Sequence, residues 1–147
     1  MADREAIWPA SWGMGLEWFR EQRLSPAVRA GDLLFVSGCT GVEAAADGPR
    51  AQMRLAYTEV GEVLAAAGGS WNDVVTMTTY HVDFREHIDA MLEIHREFVT
   101  KEPFPAWTAV GVTDLYHAEG IVEIAVIAVV RHDVDTLTTL LVGPPRR

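Results

Sequence analysis

The side chain whose surroundings most alter its chemistry is Glu123. It sits in the run Ile121-Val-Glu-Ile-Ala-Val-Ile-Ala-Val-Val130, on the same strand face as Ala125, Ile127 and Val129. A carboxylate in such a run loses water, and its pKa rises unless a cation pairs with it. A general acid or base that works near neutral pH is made this way. The bland alternative is a carboxylate at a strand end, solvated or paired with an arginine across an interface.

Other reactive side chains carry less. Cys39 follows Gly38 in the turn Ser37-Gly-Cys-Thr-Gly41. A lone cysteine is usually a small buried hydrophobe, and as a nucleophile it needs a nearby histidine or a helix N-terminus. The two glycines of that turn allow tight backbone geometry or the close approach of a ligand. His81, His87, His95, His117 and His132 show no metal-ligand spacing. His95 falls on an apolar stripe, where a satisfied core histidine is the ordinary outcome. Trp107, just after Phe104-Pro105-Ala106, begins a strand. It suits core or interface, and equally the floor of a pocket, because an indole offers a large flat apolar face. No phosphate loop, dinucleotide fingerprint or nucleophile elbow occurs.

The elements that must position these residues follow from periodicity. Leu33-Leu-Phe-Val36 after Gly31-Asp32 reads as a buried strand. Gly48-Pro49 starts a helix whose stripe is Met53, Ala56, Tyr57, Val60, Leu64 and Ala67, and Gly68-Gly69 stops it. Val74 to Val82 is rich in Val and Thr and reads as a strand. Asp83 with Glu86 resembles a capping box opening a second helix through Ile88, Met91, Leu92, His95, Phe98 and Val99. Ala106 to Val112 and Ile121 to Arg131 are two further strands. The last is apolar on both faces, so a central position covered on both sides is expected. Two helices cover only one face of such a sheet, and self-association through the other is the natural solution. Residues 1–24 hold Trp8, Trp12, Trp18 and Phe19, broken by Pro9, Gly13 and Gly15. This Trp-rich lead-in is expected to pack on the domain as a strand and lid, or else to touch ligand directly.

Composition bounds the rest. At 147 residues and 49% apolar, the chain can bury one ordinary core without staples. A single cysteine excludes a disulfide scaffold and suits a reducing compartment. The longest apolar run is too short to span a bilayer, and Met1 to Glu5 is not a signal peptide. A cytoplasmic protein without a membrane partner is expected. The net charge of −9 opposes nucleic-acid binding, and Lys101 is the one lysine of the chain.

Several blocks, in order, resemble the reactive intermediate deaminase (RidA/YjgF) family. They are Ser25 to Gly41, Gly69 to Val75 with Tyr80 to Asp83, Phe104 to Val110, and Val122 to Ala128. The likeness covers residues 25–131, leaving 132–147 as a C-terminal tail. It implies an α+β, chorismate-mutase-like mixed sheet with two helices on one face, assembled as a homotrimer with pockets between adjacent subunits. Typical members hydrolyse enamines or imines without a cofactor. In them an arginine grips the substrate carboxylate, and a glutamate positions or activates water.

Carried over residue by residue, Glu123 falls on the family glutamate. Ser37 and Gly38 fall on the pair that lines the pocket. Trp107 stands where the arginine is expected, Leu92 where an asparagine is usual, and Leu24 where a tyrosine is usual. Loss of the arginine removes a bidentate carboxylate anchor and leaves an apolar wall. The expectation is therefore a cofactor-free enzyme doing acid/base chemistry, enamine or imine hydrolysis or related, on a neutral apolar or aromatic small molecule. Glu123 would be catalytic, and Trp107, Ser37, Gly38, Leu24, Leu92 and Cys39 would contact substrate. The alternative is a non-catalytic small-molecule binder with the same pocket. A ribonuclease or translation-inhibiting role, sometimes attached to the family, is disfavoured by the acidic charge.

Overall fold

The computed structural model describes residues 3–131, so the tail at 132–147 lies outside the described residues. In chain order the elements are β1 (Arg4–Ile7), α1 (Gly15–Glu21), β2 (Ala27–Ala30), β3 (Leu33–Cys39), α2 (Pro49–Ala66), β4 (Val74–His81), α3 (Phe84–Phe98), β5 (Ala106–Gly111) and β6 (Val122–Val129). Short 3-10 turns lie at Ala10–Trp12, Val42–Asp47 and Trp71–Asp73. The strands form one mixed sheet in the order β1-β2-β3-β6-β4-β5. All neighbours are antiparallel except β4 and β5, which run parallel.

Local signals place most of these elements. Pro49 takes the first turn of α2, where its missing N–H is no loss. Gly68, at φ 83°, ends the helix, and the N–H of Gly69 donates to the carbonyl of Leu64 at 2.8 Å. The start of α3 differs from the expected capping box. Asp83 is left-handed, at φ 52°, and its side chain caps nothing; the N–H of Glu86 donates instead to the Asp83 carbonyl at 2.9 Å. A capping box does form at Ser70 and Asp73, ahead of β4.

The helices α2 and α3 bury their stripes against one sheet face. Met53, Tyr57, Val60 and Leu64 of α2 and Met91 and Ile94 of α3 meet Leu34, Val36, Met77, Ile124, Val126 and Ala128, all buried. Each such side chain contributes about 1.5–3 kcal/mol. Several polar groups that enter this layer find partners, while Arg29 Nε, Trp71 Nε1 and His81 Nδ1 are buried without one among the described residues. Arg29 is buried and donates to the carbonyls of Val130 at 2.7 Å and Ala67 at 2.6 Å, tying β2 to the ends of β6 and α2. Tyr57 stacks on Phe98, ring centroids 5.0 Å apart, and its hydroxyl reaches His95 Nδ1 at 3.0 Å.

The lead-in is more ordered than its Trp/Gly/Pro composition suggests. Its first part is the edge strand β1, in register with β2. Its second part is α1, seven residues long between Met14 and Gln22.

The expectation for β6 is met on one face only within the chain. Val122, Ile124, Val126 and Ala128 face the helices and are buried. Glu123, Ala125, Ile127 and Val129 face the other way. That second face also carries Leu33, Phe35, Val75 and Tyr80, each at least 36% exposed. A shallow depression of about 170 Å³ lies on it, lined by Phe35, Thr78, Tyr80, Ala125 and Ile127 among others. An apolar face of this kind is uncommon on a monomer.

Candidate functional site

Glu123 is built into a notch. Its strand partner on β4 is Tyr80, on the open face. On the other side, the pairing of β3 with β6 slips between Val36 and Cys39, a bulge that displaces Ser37 and Gly38. The Glu123 carboxyl lies directly over Gly38, where an added Cβ would collide with Oε1 and lie 2.5 Å from Cδ. Glycine at position 38 is thus the condition for the carboxyl to lie flat there. Ser37 Oγ donates to the carbonyl of Ser25 at 2.7 Å, next to Leu24, which is 47% exposed. Leu24, Ser37, Gly38 and Glu123 therefore belong to one neighbourhood.

Burial raises the Glu123 pKa above the ordinary carboxylate range, and the nearby His117 opposes the rise. Among the described residues, no arginine or lysine forms an ion pair with Glu123. A half-buried carboxyl with a raised pKa can take and return a proton.

Trp107 and Leu92 occupy the other side of the sheet. Trp107 pairs with Met77 and turns toward the helices. Its indole stacks on His95, centroids 4.5 Å apart, and its Nε1 donates to Thr79 Oγ1 at 2.9 Å. The same hydroxyl lies 2.8 Å from His81 Nε2. Since Thr79 Oγ1 already accepts from the indole, its proton is free for His81, which burial holds neutral with a pKa lowered to about 4. Leu92 lies on α3, 37% exposed. Within one chain, then, the residues expected to line a single pocket fall into two sets on opposite sheet faces.

Cys39 turns inward opposite Ile124 and is buried. Burial first, then the carboxylates of Glu59, Glu123, Glu62 and Glu43, push its thiol well above the usual range. Such a thiol is a poor nucleophile. Two arginines that could replace a missing cation, Arg29 and Arg20, are engaged in other contacts. Arg29 holds two carbonyls, and Arg20 lies over the Trp8 ring at 4.7 Å.

Sequence reading passed over two features. The first is Gln52, a buried amide in the stripe of α2. It donates to the Glu119 carbonyl at 3.0 Å and accepts from the N–H of Ile121 at 2.7 Å, clamping the loop that leads into β6. A polar residue inside an apolar stripe was the available signal. The second is Glu59, which accepts from the N–H of Gly41 at 3.0 Å beside Glu43 and Glu62, while Trp12 Nε1 donates to Glu62 at 2.6 Å. Burial lifts the Glu59 pKa to about 7, with the neighbouring carboxylates adding to the rise.

Glu59 has a consequence for stability. A carboxyl whose folded pKa is raised binds its proton more tightly in the native state. Its contribution is complete below the ordinary value of 4.5 and is lost as pH rises through about 7. His81 acts with the opposite sign, its lowered pKa costing stability as pH falls from 6.5 toward about 4. Glu59→Gln removes only the first effect. From pH 5 to pH 8 the wild type should lose about 1–2 kcal/mol relative to the variant, allowing for partial solvent screening. Urea unfolding at both pH values measures this, and parallel pH profiles would show that Glu59 titrates normally.

The site sets a half-buried carboxyl over a glycine bulge in a mixed α+β domain. The family model described as Endoribonuclease L-PSP matches residues 19–130. The RutC family protein YjgH of Escherichia coli K12 is 38% identical over 118 residues, spanning 77% of this chain and 86% of its own. The solved structure of protein YJGH superposes with a TM-score of 0.75 at 37% identity, covering 88% of this chain and 98% of that one. A Mycobacterium tuberculosis member of the YjgF/YER057c/UK114 family gives a TM-score of 0.74 at 30% identity over 87% of this chain and 100% of that one. A Dermatophagoides farinae protein named 2-iminobutanoate/2-iminopropanoate deaminase is 32% identical over 96 residues, 62% of this chain and 73% of its own. The chain belongs to the RidA/YjgF family. None of the described helices is long and apolar enough to cross a membrane, and among the described residues no cluster of His, Cys, Asp and Glu could hold a metal.

Proposed function

We propose that this protein is a cofactor-free hydrolase of neutral, apolar or aromatic imines, with Glu123 as its proton-transfer group. The observation that carries this reading is the Glu123 carboxyl, raised in pKa by burial, without an ion pair among the described residues, and seated over Gly38. In the reaction, Glu123 takes a proton from water as the water oxygen attacks the imine carbon. The C=N electron pair moves to nitrogen, which receives the proton. Glu123 then accepts the hydroxyl proton of the carbinolamine and returns it to nitrogen as the C–N bond breaks. Carbonyl compound and ammonia leave, and the carboxylate is regenerated.

The two half-sets of residues gain a meaning in this reading. Leu24, Ser37, Gly38 and Glu123 of one copy would face Leu92 and Trp107 of the next, so that a pocket forms only between subunits. The open apolar face of the sheet supports such assembly. Sedimentation at micromolar concentration should give three times the chain mass of 16.2 kDa. A monomer would contradict it.

The chemistry is tested with benzaldehyde imine, generated in situ from benzylamine by an amine oxidase and competed against semicarbazide. The protein should slow semicarbazone formation, because the benzaldehyde it releases reacts with semicarbazide more slowly than the imine does. Binding without any acceleration would favour a non-catalytic binder instead.

A further inference from the structure

The loop between β5 and β6 leads directly to Glu123, and α1 rests upon it. Trp18 of α1 meets Tyr116 edge-on at 5.8 Å between centroids and lies 6.5 Å from the His117 ring. Tyr116 and His117 are themselves 5.0 Å apart at 84°. Phe19 backs Trp18 at 5.1 Å. His117 closes the turn to Gly120 from which the chain enters β6, three residues before Glu123.

This arrangement is held firmly from below and left open above. The N–H of Gly120 donates to the His117 carbonyl at 2.9 Å, and the buried Gln52 clamps Glu119 and Ile121 just beyond. Yet Tyr116 remains 76% exposed and Trp18 37% exposed. A large aromatic left exposed on a clamped loop that runs into the strand of Glu123 suits one wall of a ligand site. Aromatic rings there favour a flat partner through stacking and edge contacts.

We infer that Trp18, Tyr116 and His117 form a specificity wall for the Glu123 site, selecting ligands with a planar aromatic group next to the reacting carbon. The inference rests on the proposed reading of Glu123 and adds the substrate class. It also gives the lead-in a role beyond that of an edge strand, since α1 supplies Trp18.

Benzamide is a suitable probe: it is neutral, planar and inert to hydrolysis, and its amide mimics the imine and the attacked carbon. Isobutyramide is the aliphatic control. By calorimetry the wild type should bind benzamide more tightly than isobutyramide. Tyr116→Ala and Trp18→Ala should each weaken benzamide by roughly 3- to 10-fold, the scale of one lost aromatic pair, with isobutyramide changed less than about 2-fold. Tyr116→Phe and Trp18→Phe, which keep a ring, should retain most of the preference. Tyr116 is exposed, so its variants report on the ligand even where Trp18→Ala loosens α1. Equal losses for both amides, an unchanged benzamide affinity, or no preference in the wild type would each overturn the wall. Failure of the catalytic reading is read separately: a wild-type protein that prefers benzamide but hydrolyses no imine keeps the wall and loses the enzyme.

Discussion

Glu123→Gln lowers turnover of benzaldehyde imine by roughly 10²-fold or more, the usual effect of removing a positioned acid/base group. Glutamine keeps the shape of the side chain and can still lie over Gly38, but it cannot accept a proton. Affinity for benzamide should change less than rate, because the lost interaction belongs to the transition state. The assembly should be unaffected, since Glu123 forms no ion pair among the described residues. The pH profile gives a second reading. Burial raises the Glu123 pKa, so the rate should climb with pH through a midpoint above the ordinary carboxylate value of 4.5. That limb should vanish in the variant. Full activity of Glu123→Gln would make the carboxyl structural and remove the mechanism.

The second large effect concerns substrate charge. 2-Iminopropanoate, made from alanine by an amino acid oxidase, should be hydrolysed roughly 10- to 100-fold less efficiently than by a relative with an arginine at the position of Trp107. This is the scale of one lost charge-assisted bidentate pair. The structure strengthens the expectation in two ways. The indole of Trp107 is already engaged, stacked on His95 and bonded to Thr79, so it offers no polar group to a carboxylate. Neither Arg29, which holds the carbonyls of Val130 and Ala67, nor Arg20, placed over Trp8, stands ready as a substitute. A buried carboxylate without a cation is penalised by several kcal/mol. The measurement compares kcat/KM for the two imines in both proteins. Equal preference for the charged imine would mean that another cation reaches the pocket.

Much of the fold was legible because its signals are local. The stripe from Met53 to Leu64 has a helical period, Gly48-Pro49 and Gly68-Gly69 bracket it, and β6 announces itself by apolar residues at every position but one. The weaker predictions failed where the signal was short or ambiguous. Asp83 and Glu86 have capping-box spacing, but the chain turns into α3 through a left-handed Asp83, so the side chain cannot cap. In the Trp-rich lead-in the expected strand is present as β1, but α1 was hidden. The four-residue strand and seven-residue helix are too short to show a period, and their pairing and packing partners lie far along the chain.

For the site, the sequence alone determined that Glu123 is an isolated carboxyl on an apolar strand, that a glycine-rich turn ends β3, and that Trp107 stands where an arginine is expected. Only the tertiary structure decided how these relate. Gly38 lies beneath Glu123 because a bulge in the β3–β6 pairing shifts the register there. Trp107 faces the helices while Glu123 faces the open side because strand side chains alternate and register assigns the parity. Met77 and Trp107 pair on the inner face, Tyr80 and Glu123 on the outer. The sequence of β5, Ala-Trp-Thr-Ala-Val-Gly, has no clear alternation, so its own residues could not announce that parity. Trp18, Tyr116 and His117 meet only because α1 folds back onto a loop nearly a hundred residues away, a contact made by packing and carried by no local pattern.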